Sequence, residues 1–389
     1  MCHHHRTSHI RHLAENECHI MHLDSEKKPK KLGVGDENMN KKKYVSVNPR
    51  HCTLNVASQS SLPKSIVYAA KLHTLIILSE YSSVDSTNLA ILLSHMRRLR
   101  ALGLSSCSIK ELPRSVGELL HLRYLDLSFN QDLKKLPQAI CNLLNLQTLN
   151  LNGCRSLQKL PKGIRKLSKL RHLEILWTLS LTYLPKGIAS LTSLRTLIRF
   201  LGNSGPSSKA CNLGDDGELN QVQGSIIIDG LGGETNALDA KKANLKSKKD
   251  LLGLELRFSA VGSDSNHKDE LPKKNKDILE ALEAPAELQG LGIFYYQGES
   301  FPKWMIALQN LTHLLLADCS NCSVLPPLGK LLSLQSLKIQ NMANVEKVGL
   351  EFLGIESNND DDVQEDSFPK LQELCFQDMD NWEDWIGIS

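Results

Sequence analysis

Four successive segments of this chain repeat one nine-position pattern, apolar at eight positions and Cys, Asn or Thr at the other, roughly 24 residues apart. The first runs Leu99, Leu102, Leu104, Cys107, Ile109, Leu112, Pro113, Val116, Leu119. The second is Leu122, Leu125, Leu127, Asn130, Leu133, Leu136, Pro137, Ile140, Leu143. The third opens at Leu146 and closes at Leu167, and the fourth opens at Leu170 and closes at Leu191. In each, the Leu-x-x-Leu-x-Leu start has the period-two spacing of a short strand with one apolar face. The Asn or Cys that follows turns the chain and donates to backbone carbonyls inside the loop. The Leu-Pro step bends the path, because proline fixes φ and restricts its predecessor. The Ile-x-x-Leu segment returns along the opposite side as a short helical turn. One such unit leaves its leucines exposed, so stability must come from neighbour stacking.

These features predict an α/β fold, a leucine-rich-repeat solenoid of horseshoe form. Its concave side is a parallel β-sheet and its convex side is irregular or short-helical. Aromatics make up only 5% of the 389 residues, which suits a core of stacked aliphatic side chains. Outside the regular block, Leu72, Leu75 and Ile77 mark an earlier strand, and Leu194 and Leu197 open a fifth copy. Ile226/Ile228 and Leu254/Leu256 mark further strands, with a Lys-rich helix predicted over Leu238–Leu252 and an exposed loop over Ser259–Lys276. Repeats return at Leu288/Leu291/Ile293, Leu311/Leu314/Leu316, Leu334/Leu337/Ile339 and Leu371/Leu374/Phe376. The domain reading is therefore 1–61 as a linker or remnant, ordered only in part, and 62–200 as regular repeats. Residues 201–287 form irregular repeats with long loops, and 288–389 form C-terminal repeats without a polar capping unit.

Chemical signatures are sparse. No GxxxxGK[ST] phosphate loop, GxSxG, HExxH or paired CxxC is present, so the reading is no enzyme and no cofactor. The His-rich segment Met1–His22 matches no zinc spacing and is read as solvated, leaving no metal site. The ten cysteines are not framework-spaced, which suits a reducing, cytoplasmic setting. Cys107 and Cys154 lie two repeats apart, about 10 Å by strand spacing, beyond disulfide reach. Cys319-x-x-Cys322 has its first cysteine explained by the repeat. The first residues carry no apolar signal segment, and no apolar run approaches membrane length. The net charge of +3 gives no argument for nucleic acid.

What remains is a surface. The residue after each opening leucine is Arg100, Arg123, Gln147, Arg171 and Arg195, a column that stacking converts into a basic edge. Solubility and packing of Arg stems also account for such a column. Strand positions facing away from the leucines include Tyr124, Asp126, Asn150, Asn152, His172 and Glu174. Phe129 and Trp177 add aromatic anchors of the kind protein partners use. The four arginines, the six strand residues and the two aromatics are the candidate protein-binding set, and nothing among them is arranged for acid–base or nucleophilic chemistry.

Several stretches resemble plant intracellular immune receptors, the nucleotide-binding leucine-rich-repeat disease-resistance proteins of the coiled-coil class. The Leu-Pro-x-x-Ile-x-x-Leu return is one. The others are "HLAENECHIM" (His12–Met21), "LPKSIVYAAKLHTLIIL" (Leu62–Leu78), the segment Gly224–Phe258 and "LPPLGKLLSLQSLKI" (Leu325–Ile339). The resemblance implies recognition of a pathogen effector or a guarded host protein, and restraint of the switch module. It also implies that a basic early-repeat surface contacts the nucleotide-binding module. The family's phosphate loop, switch motifs and coiled coil are absent from this chain, so nucleotide switching is not carried over. Whether the chain is a fragment, a truncated gene product or an adaptor form stays open at this point. The alternative function is a scaffold or signalling adaptor that binds a small GTPase or another protein.

Overall fold

The computed structural model describes residues 50–56, 70–79, 84–201, 210–218, 221–233, 235–259, 270–355 and 367–385. The His-rich start and most of the segment read as a linker lie outside the described residues. The chain divides into two compact units. One comprises residues 1–170 with 177–180, and the other 171–176 with 181–389.

In the first unit, β1 (His51–Val56), β2 (Thr74–Ser79), β3 (Ala101–Gly103), β4 (Tyr124–Asp126) and β5 (Thr148–Asn150) pair in chain order, all parallel. A helix, α1 (Ser86–Ser94), follows β2, and Asp85 caps it by accepting from the Thr87 and Asn88 amides. The register pairs Leu75 with Leu102, Leu102 with Leu125 and Leu125 with Leu149. Equivalent leucines therefore stack in files, and all four are fully buried. The strand Thr74–Ser79 confirms the early copy read from Leu72, Leu75 and Ile77. The return segments are single turns of 3-10 helix at Arg114–Glu118, Gln138–Asn142 and Lys162–Lys166, each entered from a proline. One turn of helix suffices because each return has only one or two core positions, Val116, Ile140 and Ile164 among them.

In the second unit, β6 (His172–Glu174) pairs with β7 (Thr196–Leu197). A second parallel run joins β8 (Arg199–Leu201), β9 (Gly224–Leu231), β10 (Leu251–Phe258), β11 (Gly290–Phe294), β12 (His313–Ala317) and β13 (Ser336–Gln340). A short pair, β14 (Lys347–Val348) with β16 (Asp384–Trp385), lies beside it in sequence, and β15 (Glu373–Gln377) pairs with β13. Short helices α2 (Ala237–Lys242), α3 (Leu271–Ala281) and α4 (Leu350–Leu353) sit between strands.

Two expectations change here. The helix predicted over Leu238–Leu252 is only α2 plus a 3-10 turn at Leu245–Ser247, because β10 claims the chain from Leu251 onward. The loop predicted to reach Lys276 is helical from Leu271, where Pro272 occupies the first turn. Ile278 and Leu279 are buried on α3 and Leu282 just beyond it, and that apolar stripe outweighs the flanking lysines.

The turn after each strand holds one polar residue in the core. Asn130 donates from Nδ2 to the Leu104 and Leu127 carbonyls at 2.8 and 2.7 Å, and its Oδ1 accepts from the Ile109 amide at 2.9 Å. Cys107 donates to Ile77 O at 3.4 Å and Cys154 to Leu127 O at 3.1 Å. The same position thus ties each repeat to the strand before it, the role the sequence predicted for Asn and Cys.

Candidate recognition surface

At the entrance to the strands of the first unit the backbone forms a single ladder. The His73 amide donates to Arg50 O, Arg100 to His73 O, Arg123 to Arg100 O and Gln147 to Arg123 O, each at 2.7 Å. Four cationic or titratable side chains therefore sit on consecutive strands, about 5 Å apart. Arg50, Arg100 and Arg123 are exposed and have no carboxylate partner among the described residues. Partial burial, then the charges of Arg100 and Arg50, holds His73 below the usual histidine range. Arg100 and Arg123 are thus brought together as predicted, and Arg50 and His73 extend their row. Arg171 and Arg195 form the equivalent pair in the second unit, joined by Arg195 N to Arg171 O at 2.7 Å.

On the strand face, Tyr124 is half-buried and its hydroxyl donates to Asp126 Oδ2 at 3.3 Å. Asp126 is itself buried and accepts from the Ser128 amide at 2.9 Å. Asn150 is buried in the same way and accepts from the Asn152 amide at 3.0 Å. Asp126 and Asn150 therefore close Asx turns at the strand ends. Asn152 and Glu174 are half-buried. His172 Nδ1 lies 3.0 Å from Thr196 Oγ1.

The residue two beyond the last strand leucine is left-handed in every regular repeat: Ser106 (φ 57°), Phe129 (φ 58°), Gly153 (φ 73°) and Trp177 (φ 56°). For bulky aromatic residues this conformation costs on the order of 1–2 kcal/mol. Phe129 and Trp177 are nevertheless 47% and 59% exposed, with ring centroids 6.5 Å apart and planes tilted by 44°. Gly153 makes this arrangement feasible, since a Cβ there would lie 2.6 Å from Phe129 Cδ1.

A family model described as R13L1/DRL21 leucine-rich repeats matches residues 215–342, and general leucine-rich-repeat models match 97–155 and 145–167. The putative disease resistance protein RGA1 of Solanum bulbocastanum is 41% identical over 304 residues, covering 77% of this chain and 29% of that protein. The chain belongs to the leucine-rich-repeat region of plant disease-resistance receptors. A second relative, the putative disease resistance protein At3g14460 of Arabidopsis thaliana, is 36% identical over 43% of this chain and 12% of its own length. This repeat region thus spans a minor part of the relatives it matches. Among solved structures, the functional domain of InlJ from Listeria monocytogenes aligns over 85% of this chain and 63% of its own, with TM-score 0.52 and 15% identity. That likeness concerns the fold alone.

The repeat region also carries a charge division that the net value of +3 conceals. Residues 84–201 hold 18 Lys and Arg against 6 Asp and Glu, whereas residues 210–389 hold 15 against 30. Counting charge by segment finds it directly, and the signal was in the sequence. Four buried cysteines are poor nucleophiles: burial pushes the Cys107, Cys154 and Cys319 thiols up to about 12, and burial raises Cys322 as well. Among the described residues there is no His/Cys/Asp/Glu group able to hold a metal, and no helix long and apolar enough to cross a membrane.

Proposed function

We propose that this chain is the non-enzymatic protein-recognition region of a plant intracellular immune receptor, acting in the cytoplasm. It recognises a pathogen effector or a guarded host protein and restrains the receptor's nucleotide-binding module. The observation that carries this reading is the unneutralised row of Arg50, Arg100 and Arg123 along the strand entrances, with His73 on the strand between the first two. Like charges at strand spacing repel, and an acidic protein surface laid along the row removes that repulsion. The recognition set comprises Arg100, Arg123, Tyr124, Asp126, Phe129, Asn150 and Asn152 in one unit and Arg171, His172, Glu174 and Arg195 in the other, with Trp177 beside Phe129. Single exposed charge pairs contribute only about 0–1 kcal/mol, so the row acts through several together. The test changes Arg100, Arg123, Arg171 and Arg195 to Glu and measures association with the nucleotide-binding module of a relative at low and moderate salt. The expected result is loss of a salt-sensitive complex. Unchanged, salt-independent association in the folded variant leaves solubility as the only explanation of the column.

A further inference from the structure

We infer that the turns 129–135, 153–159 and 177–180 of the first unit form a second docking surface, for an acidic protein segment bearing an aliphatic or proline anchor. This rests on the protein-recognition reading above and names the chemistry of a partner for the Phe129–Trp177 part of that set, apart from the arginines at the strand entrances.

The anchor site is apolar and exposed. Phe129 and Trp177 occupy left-handed positions where Ser or Gly stands in the other repeats of the block. Leu179 follows at 67% exposure. Gly153 stands at the same position of the intervening repeat, where the Phe129 ring lies so close that a Cβ would meet its Cδ1 at 2.6 Å. The chain thus keeps two large side chains in an unfavourable backbone conformation and shows them to solvent. Core packing does not account for this, because both rings lie outside the buried leucine files.

The surroundings select an acidic partner. Across the three turn segments 129–135, 153–159 and 177–180, Lys134, Lys135, Arg155 and Lys159 stand against a single carboxylate, Asp132. All four cations are exposed and have no ion-pair partner among the described residues. Backbone bonds hold these turns side by side: Ser156 N to Gln131 O at 3.1 Å, Gln158 N to Lys134 O at 3.1 Å and Ser180 N to Arg155 O at 3.0 Å. Lys135 and Lys159 form a parallel bridge. Aromatic rings beside cations also suit single-stranded nucleic acid, where bases stack on ring faces. The geometry favours protein instead. The two planes are tilted by 44°, so no base can lie flat on both, and the exposed Leu179 offers an aliphatic contact.

The experiment uses the full chain and fluorescence anisotropy of three labelled probes: a Glu/Asp-rich peptide with one central Leu, the same peptide without the Leu, and an oligothymidylate. The paired variant is Phe129→Asn with Trp177→Asn. Asn occupies the same left-handed turn position at Asn341 (φ 50°), so the fold is retained. The Leu-bearing peptide should bind best, weaken as salt rises, and lose at least on the order of tenfold in affinity in the paired variant. The inference is overturned if the two peptides bind equally, if the oligothymidylate binds more tightly, if no probe binds, or if the folded variant binds undiminished. The arginine-to-glutamate test on the strand entrances is independent. Should it succeed while this one fails, only the second surface is lost.

Discussion

The Asn130 side-chain amide reaches the Leu104 carbonyl of the preceding repeat at 2.8 Å, inside a core that excludes water. The same side chain satisfies Leu127 O and the Ile109 amide, so one residue serves three backbone groups. Asn130→Ala leaves those groups buried without partners, and each such loss costs about 1–3 kcal/mol. Urea denaturation should show a drop of at least about 2 kcal/mol. Asn130→Cys should fall less, since Cys107 and Cys154 make the equivalent bond to the previous strand. Equal losses for the two variants would contradict this account.

Leu149 lies in the file between Leu125 and the following repeat and is fully buried. Leu149→Asp places a carboxylate where no cation or donor can reach it, a change costing several kcal/mol, more than ~3 kcal/mol. Far-ultraviolet circular dichroism and limited proteolysis should report loss of the flanking repeats. A variant with native protease resistance would refute the stacking described here.

The buried thiols make stability depend on alkaline pH. Cys107, Cys154 and Cys319 are raised from the ordinary value of 9.0 to about 12 by burial. The folded state therefore holds these protons more tightly than the unfolded state. Their contribution is complete below pH 9 and is lost as pH climbs from there through about 12. Denaturation midpoints should fall across that window. Native protein at pH 8 should leave these three thiols unmodified by a thiol reagent that labels all of them in denaturant. Rapid native labelling would show that the files open.

Asn275 on α3 is buried with neither side-chain atom hydrogen-bonded, and Gly232 (φ 85°) closes against it. Asn275→Leu removes the desolvated amide at similar size and should raise stability by about 1–2 kcal/mol. Gly232→Ala should lower it, because its Cβ would stand 2.5 Å from Asn275 Oδ1 in a backbone conformation alanine disfavours. Thermal melts of both variants check the pair. A destabilised Asn275→Leu would mean that the amide is satisfied by water.

Leu99 to Leu191 was legible because every core position there is dictated by backbone stacking, which admits few residue types. The strands at Ile226, Leu254, Leu291, Leu314, Leu337 and Leu374 were legible for the same reason. Helix α3 was hidden because Ile278, Leu279 and Leu282 are a thin apolar stripe among lysines. β1 was hidden because it contributes only Cys52 and Leu54 to the core. Phe129 and Trp177 were visible as aromatics but not as left-handed residues. That conformation is normally announced by Gly or Asn, and among the four regular repeats Gly153 alone is of that kind. Arg50 and His73 escaped notice because they precede the regular register, so the basic row was read as beginning at Arg100.

The backbone ladder through Arg100, Arg123 and Gln147 has a genetic corollary. Excising Leu122–Asn145 would set the Arg100 strand directly beside the Gln147 strand, with the leucine files still in step. Unequal crossing-over between repeats can therefore delete or duplicate a whole unit while the core persists. What changes is the sequence of side chains read along each column, so such recombination rewrites what the molecule contacts without a new fold having to arise.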